Sequence, residues 1–187
     1  MNISKAFAAF PAEAALVGRM LGGYTDLELD LMHCVKAARD DLDTVLKAMY
    51  RARGESRRID IAVAFGRPTY KSLGLGQEFD AAVAAVRHCT KIRNQYAHCT
   101  WWDDYSGHLA FANLEEIAKA DDVVQDLRGM SVHHASVEHL QAQFGYFVYA
   151  SDLLIWVLQE GNKRTGRPAV PDLTKPAARE QPELFLP

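Results

Sequence analysis

An all-α fold, a helical bundle of about five helices with a small β-hairpin insertion and an extended C-terminal tail, is what this sequence predicts. Three observations carry that expectation. Apolar residues recur at spacings of three and four over several long segments. Glycine and proline punctuate the stretches between them. Five of the seven prolines gather after Lys163, where periodicity stops.

The first helix runs from about Glu13 to Arg39, with Tyr24, Leu27, Leu31, Cys34 and Val35 at helical spacing, and Gly22-Gly23 is expected to interrupt or bend it. Leu42-Val45-Leu46-Met49 forms the next segment, continuing the first or following a short break at Asp40-Asp41. Its end, Arg51-Ala52-Arg53-Gly54, places cations and a glycine where a helix stops. From Glu55 to Leu73, Ile59, Ala62, Val63 and Phe65 suggest a third helix that must negotiate Gly66-Arg67-Pro68. Gly74-Leu75-Gly76 breaks the chain before the most regular helix, about Gln77 to Ala97, whose stripe is Phe79, Ala82, Val86, Cys89, Arg93 and Tyr96.

Asp103 to Asp126 loses this regularity, and Leu109-Ala110-Phe111 is expected to pair with Met130-Ser131-Val132 as the hairpin. Ser136 is placed to cap the last helix, which carries Leu140, Phe144, Phe147, Ser151, Leu154 and Leu158. Because Val148, Ile155 and Val157 widen its apolar surface, it should lie centrally or at a subunit interface. Residues 1–162 are expected to form a single helical domain, and 163–187 a proline-rich tail closing on the apolar Leu184-Phe185-Leu186.

With 187 residues and 49% apolar composition, the chain can bury a real core. Its formal charge of −3 supplies no global basic field, so any nucleic-acid contact must be local. Cys34, Cys89 and Cys99 are an odd set without Cys-x-x-Cys spacing. They point to reduced thiols in a cytoplasmic protein. No apolar run approaches the ~20 residues needed to cross a bilayer, and the N-terminus lacks a leader pattern, so no membrane partner is expected.

The stretch with the most chemistry is Arg93-Asn94-Gln95-Tyr96-Ala97-His98, followed by Trp101 and Trp102. On an unbroken helix Arg93 and His98 stand about 140° apart, so they converge only if the helix ends near His98 or a second copy supplies the missing group. An arginine on an apolar stripe must be paired or line a cleft, because an unpaired buried charge is strongly disfavoured. Glu28, on the apolar face of the first helix, is its best partner by pattern. The structural alternative is therefore an Arg93–Glu28 bridge with His98 serving to pin a helix end.

An Arg-x4-His motif with a polar residue directly after the arginine, at the end of a long amphipathic helix in a helical chain of this size, resembles the HEPN superfamily. The resemblance spans roughly residues 10–160, and Arg93, Asn94 and His98 carry its specific part. It implies a homodimer that brings two motifs into one cleft and cleaves single-stranded RNA without a metal or other cofactor. By this likeness His98 would exchange protons with the ribose 2′-hydroxyl or the leaving oxygen. Arg93 would bind the phosphate, and Asn94 would orient His98 or the RNA. Tyr96 would support the motif, and Trp101, Trp102 and Tyr105 could stack bases, the alternative for the tryptophans being packing residues just after a helix. It also suggests a place in a bacterial toxin or defence system. Some members carry a modifiable tyrosine two residues after the histidine; Thr100 stands there, so that control is not implied. Other members are noncatalytic helical modules that bind a protein partner, which is the competing reading.

His133, His134 and His139 lack acidic or cysteine partners at ligand spacing and read as a solvated helix start rather than a metal site. Gly74-Leu75-Gly76 lacks the Lys-Ser/Thr of a phosphate loop and reads as punctuation. Asp103-Asp104 and Asp121-Asp122 read as solvated pairs.

Overall fold

The computed structural model describes residues 5–119 and 131–185. A short helix α1 (Lys5–Ala9) precedes α2 (Pro11–Arg39). Proline suits the first helical position, where its missing N–H would have had no helical partner. Contrary to expectation, Gly22-Gly23 does not interrupt α2. Buried Met20, Tyr24 and Leu27 flank the pair, and such burial outweighs the ~1 kcal/mol that each glycine costs a helix. The break falls at Asp40, which takes a positive φ of 57°. Asp41 then caps α3 (Leu42–Arg51), its Oδ1 accepting the Thr44 N–H at 3.0 Å.

Helix α4 (Glu55–Ser72) runs straight through Gly66-Arg67-Pro68. It closes at Gly74, φ 70°, whose N–H donates to the Lys71 carbonyl at 3.1 Å while the Leu75 N–H reaches the Tyr70 carbonyl at 2.8 Å. This pair of bonds satisfies carbonyls that a helix end leaves over, and glycine takes the left-handed conformation without a steric penalty. Gly74-Leu75-Gly76 is thus the expected punctuation, and α5 (Gly76–Ala97) follows at once.

Strands β1 (Cys99–Asp103) and β2 (Leu109–Asn113), helix α6 (Leu114–Lys119), strand β3 (His133–Ala135) and helix α7 (Val137–Arg164) complete the order. Five of the described helices, α2, α3, α4, α5 and α7, have ten or more residues, in line with the expected bundle. The expected hairpin is instead a three-stranded antiparallel sheet with β2 central. Leu109 faces Ala135 and Phe111 faces His133, whereas Ser131 and Val132 lie outside any strand and Met130 lies outside the described residues. The shift has a packing reason: Ala135 is fully buried, and the His133 ring lies 5.4 Å from that of Phe111. Ser136 caps α7 as expected, its Oγ accepting the His139 N–H at 3.2 Å.

The described chain divides into two compact units, each assembled from separate stretches. The first comprises the described residues of Met1–Gly22, Lys91–Phe144 and Pro182–Pro187; the second comprises Gly23–Thr90 and Gly145–Gln181. In the first, the sheet residues Leu109, Ala110, Phe111 and Ala135 are buried with Leu16, Val17, Ile92, Tyr96 and Leu140. Aromatic rings knit this core. Trp101 lies 5.3 Å from Phe7, 5.8 Å from Tyr96 and 5.0 Å from Phe111.

The second unit buries apolar residues of α2, α3, α4, α5 and α7, among them Leu31, Val45, Ile59, Phe79 and Leu154. Tyr70 stacks on Phe79 at 4.7 Å and donates its hydroxyl to the Cys34 carbonyl at 3.0 Å. The Cys34 thiol donates to the Leu154 carbonyl at 3.2 Å, and burial pushes it up to about 12. All three cysteines are free thiols. No helix among the described residues is long and apolar enough to cross a membrane.

Gly66 shows how tightly this unit is packed. A Cβ added there would lie 2.8 Å from Phe79 Cζ, whereas one at Gly18, on an exposed turn of α2, meets nothing within 4 Å. Gly66→Ala is expected to lower stability by about 1 kcal/mol, the overpacking cost exceeding the gain in helix propensity. Gly18→Ala is expected to raise it by about 0.5–1 kcal/mol. Calorimetric Tm values of the two variants, moving in opposite directions, check the pair.

Candidate functional site

The Arg93–His98 segment lies in the first unit, and helix α5 ends at Ala97, one residue before His98. The ~140° separation that an unbroken helix would impose therefore ceases to apply where the chain turns into β1. Asn94 and His98 are exposed and Arg93 is partly exposed, whereas Gln95 and Tyr96 between them are buried. The end of α5 thus leaves Asn94 and His98 outward and Arg93 partly so, with Gln95 and Tyr96 turned inward. Arg93 Nη1 donates to Asn94 Oδ1 at 3.0 Å, which couples the orientation of those two side chains.

The hairpin register brings one further group to the histidine. Cys99 pairs with Asn113 across β1 and β2, so the residues just after Asn113 come beside the residue just before Cys99. Buried Asn113 accepts the Glu115 N–H on its Oδ1 at 2.9 Å and starts α6. Glu115 Oε1 then stands 3.6 Å from His98 Nε2, with both side chains 56% exposed. A carboxylate at that distance limits the orientation of the imidazole ring. Glu115 did not stand out in the sequence because α6 has only six residues, too few to show a period. The signal that could have found it is Asn113 acting as a cap immediately before Leu114-Glu115.

Behind the exposed face lies a buried polar relay. Tyr96 donates its hydroxyl to Gln143 Oε1, and Gln143 Nε2 lies 2.8 Å from His139 Nε2. Gln143 is completely buried, and a buried amide of this kind has to find partners. Desolvation by burial lowers the His139 pKa from its ordinary value, partly opposed by Glu183. Its neutral ring can therefore accept from Gln143. Burial also raises the Tyr96 hydroxyl, which keeps it a donor. Tyr96 is thus fixed behind the exposed face by burial and by its bond to Gln143. Gln143 carried no signal in the sequence because it follows Glu138, His139 and Gln141 in the polar start of α7.

No family model, curated protein or solved structure matches this chain.

Glu28 does not serve as the expected partner of Arg93. It lies in the second unit, 5% exposed, and both its carboxylate oxygens accept from Arg58 Nη1, at 2.9 and 3.1 Å. Trp101 belongs to the aromatic core described above. Trp102, next along the strand, points to the opposite face by strand alternation and is partly exposed. Tyr105, with a positive φ of 64°, is 93% exposed.

The three histidines are not simply solvated. His134 Nε2 lies 2.7 Å from Asp104 Oδ2, and His133 and His139 are partly buried against other rings. Hydrogen bonds from Ser106 and His134 hold Asp104 well below the usual carboxylate range. Local spacing offers His134 no acidic neighbour, because Asp104 arrives from thirty residues away through the sheet. Among the described residues no three His, Cys, Asp or Glu side chains are grouped to hold a metal ion. Asp121-Asp122 lies outside the described residues.

Proposed function

We propose that this chain is a HEPN-like protein that binds single-stranded RNA and cleaves it without a metal, acting as a homodimer. The observation that carries the reading is the exposure of His98. It stands just past the end of α5, 56% exposed, where its imidazole can reach a substrate, and it faces a carboxylate.

In the proposed step His98 takes the proton from a ribose 2′-hydroxyl. The freed oxygen attacks the adjacent phosphorus, and the bond from phosphorus to the 5′-oxygen breaks. That oxygen takes up a proton, leaving a 2′,3′-cyclic phosphate and a 5′-hydroxyl. Arg93 holds the phosphate and stabilises the charge that develops on it, and Asn94, bonded to Arg93, positions that guanidinium or the RNA. Glu115 steadies the imidazolium while it carries the proton. Flexible RNA is the fitting substrate because only there can the 2′-oxygen align with the leaving oxygen.

A chain of net charge −3 needs a local basic surface for such a substrate. Within the second unit Lys47, Arg51, Arg53 and Arg57 line one open groove between α3 and α4, together with Asp43, which holds Lys47 at 2.7 Å. The place of this activity in a bacterial toxin or defence system remains part of the proposal.

The competing reading, a noncatalytic helical module that binds a protein partner, has an observation of its own. Leu42, Leu46 and Tyr50 stand 48%, 43% and 37% exposed on successive turns of α3, an apolar stripe of the kind that docks a partner. Incubation of the purified protein with labelled single-stranded RNA in EDTA separates the two. Cleavage lost in His98→Ala supports the nuclease. Intact RNA across many sequences, with the protein folded and dimeric, supports the interaction module.

A further inference from the structure

The last described residues of the chain do not trail into solvent. The Phe185 N–H donates to Gln95 Oε1, and the Glu183 carbonyl accepts from Gln143 Nε2 at 2.9 Å. In an extended chain the carbonyl of one residue and the N–H two residues later point to the same edge. Two buried side-chain amides therefore read one edge of this segment as a neighbouring strand would. The Phe185 ring enters an aromatic pocket, 4.4 Å from His139, 5.1 Å from Phe111 in an edge-on arrangement and 5.9 Å from His133. Main-chain bonds with a pocket for one side chain are how folded domains recognise extended peptides.

We infer that Gln95, Gln143, His139, His133 and Phe111 form a recognition site for an extended peptide bearing a phenylalanine. Its resident ligand is the chain's own Glu183–Phe185 segment, and its occupancy anchors the last turn of α5. The anchoring follows from adjacency. Gln95 holds the segment directly, and Tyr96 holds it through Gln143, so two consecutive residues of the Arg93–His98 motif take part.

The residues leading into the segment, from Arg167 to Gln181, belong to no helix or strand. The ligand is thus tethered by an irregular connection, and the tether keeps its effective concentration high. The peptide site stands independently of the RNA-cleaving reading; only a consequence for catalysis would rest on that reading.

The test uses full-length protein and a synthetic peptide with the sequence of residues 180–187. Phe185→Ala removes the resident side chain. The labelled peptide is expected to bind this variant saturably at one site and to bind wild type at least about ten-fold more weakly, because the tethered segment competes. In nuclear magnetic resonance spectra of the variant, the peptide should shift the Gln95 and Tyr96 amides, and His139→Ala in addition should weaken binding. Absence of binding to a folded Phe185→Ala protein, or equal binding to both proteins, overturns the inference. Hydrogen exchange on wild type reads the same site without a substitution. A protected Phe185 amide is the expected result, and exchange at the rate of an unstructured chain overturns the assignment. RNA cleavage plays no part in these readouts, so the two proposals can fail separately.

Discussion

His98→Ala is expected to lower RNA cleavage by about 10²–10⁴-fold while leaving the fold intact, the range usual for removal of a general acid–base group. The fold should survive because the side chain is more than half exposed and surface substitutions away from caps and cores rarely cost more than ~0.5 kcal/mol. Arg93→Ala should produce a loss of similar size through the phosphate, and Arg93→Lys should recover only part of it, since a single ammonium cannot grip two oxygens in a fixed fork. Glu115→Gln should give a smaller loss. It keeps the shape of the side chain but removes the charge that steadies the imidazolium. Rates from single-turnover assays, with circular dichroism to confirm folding, check the order of the four variants.

Arg58→Ala is expected to destabilise the protein by about 3 kcal/mol, because it strands the Glu28 carboxylate in an interior site. Glu28 is 5% exposed, and both its oxygens depend on Arg58 Nη1. The arginine also lies over the Tyr50 ring at 5.3 Å, so its removal costs packing as well as charge. The double variant Glu28→Leu with Arg58→Met should recover most of the loss, since apolar groups of similar size can replace a buried pair. Urea denaturation of the single and double variants measures both numbers. Arg87 and Asp60 form a contrasting, exposed pair at 2.6 Å. Arg87→Ala there should cost under ~1 kcal/mol.

The long helices were legible because their cores repeat over many turns. Tyr24, Leu27, Leu31, Cys34 and Val35 are all buried as their spacing requires, and Ser136 caps α7. What escaped depends on tertiary partners. Glu28 could have met an arginine from any helix, and periodicity does not say that α4 rather than α5 supplies it. Arg58 directly follows Arg57, and nothing in that pair marks which of the two turns inward. The third strand was misplaced by a few residues because Ser131 and Val132 alternate acceptably, while His133 is in the strand for its contact with Phe111.

The motif itself was fully legible, and so was the need for α5 to end near His98. The approach of Glu115 was not, because it follows from a strand register joining Cys99 to Asn113. Gln95 and Gln143 escaped for a related reason: a buried amide is justified only by partners distant in sequence.

The most direct test is to incubate wild-type protein with single-stranded RNA in EDTA and to analyse the ends of any fragments. The account predicts 2′,3′-cyclic phosphates on the upstream fragments and 5′-hydroxyls on the downstream ones, both vanishing in His98→Ala. Fragments carrying 5′-phosphates, or cleavage that persists unchanged in His98→Ala, would contradict it.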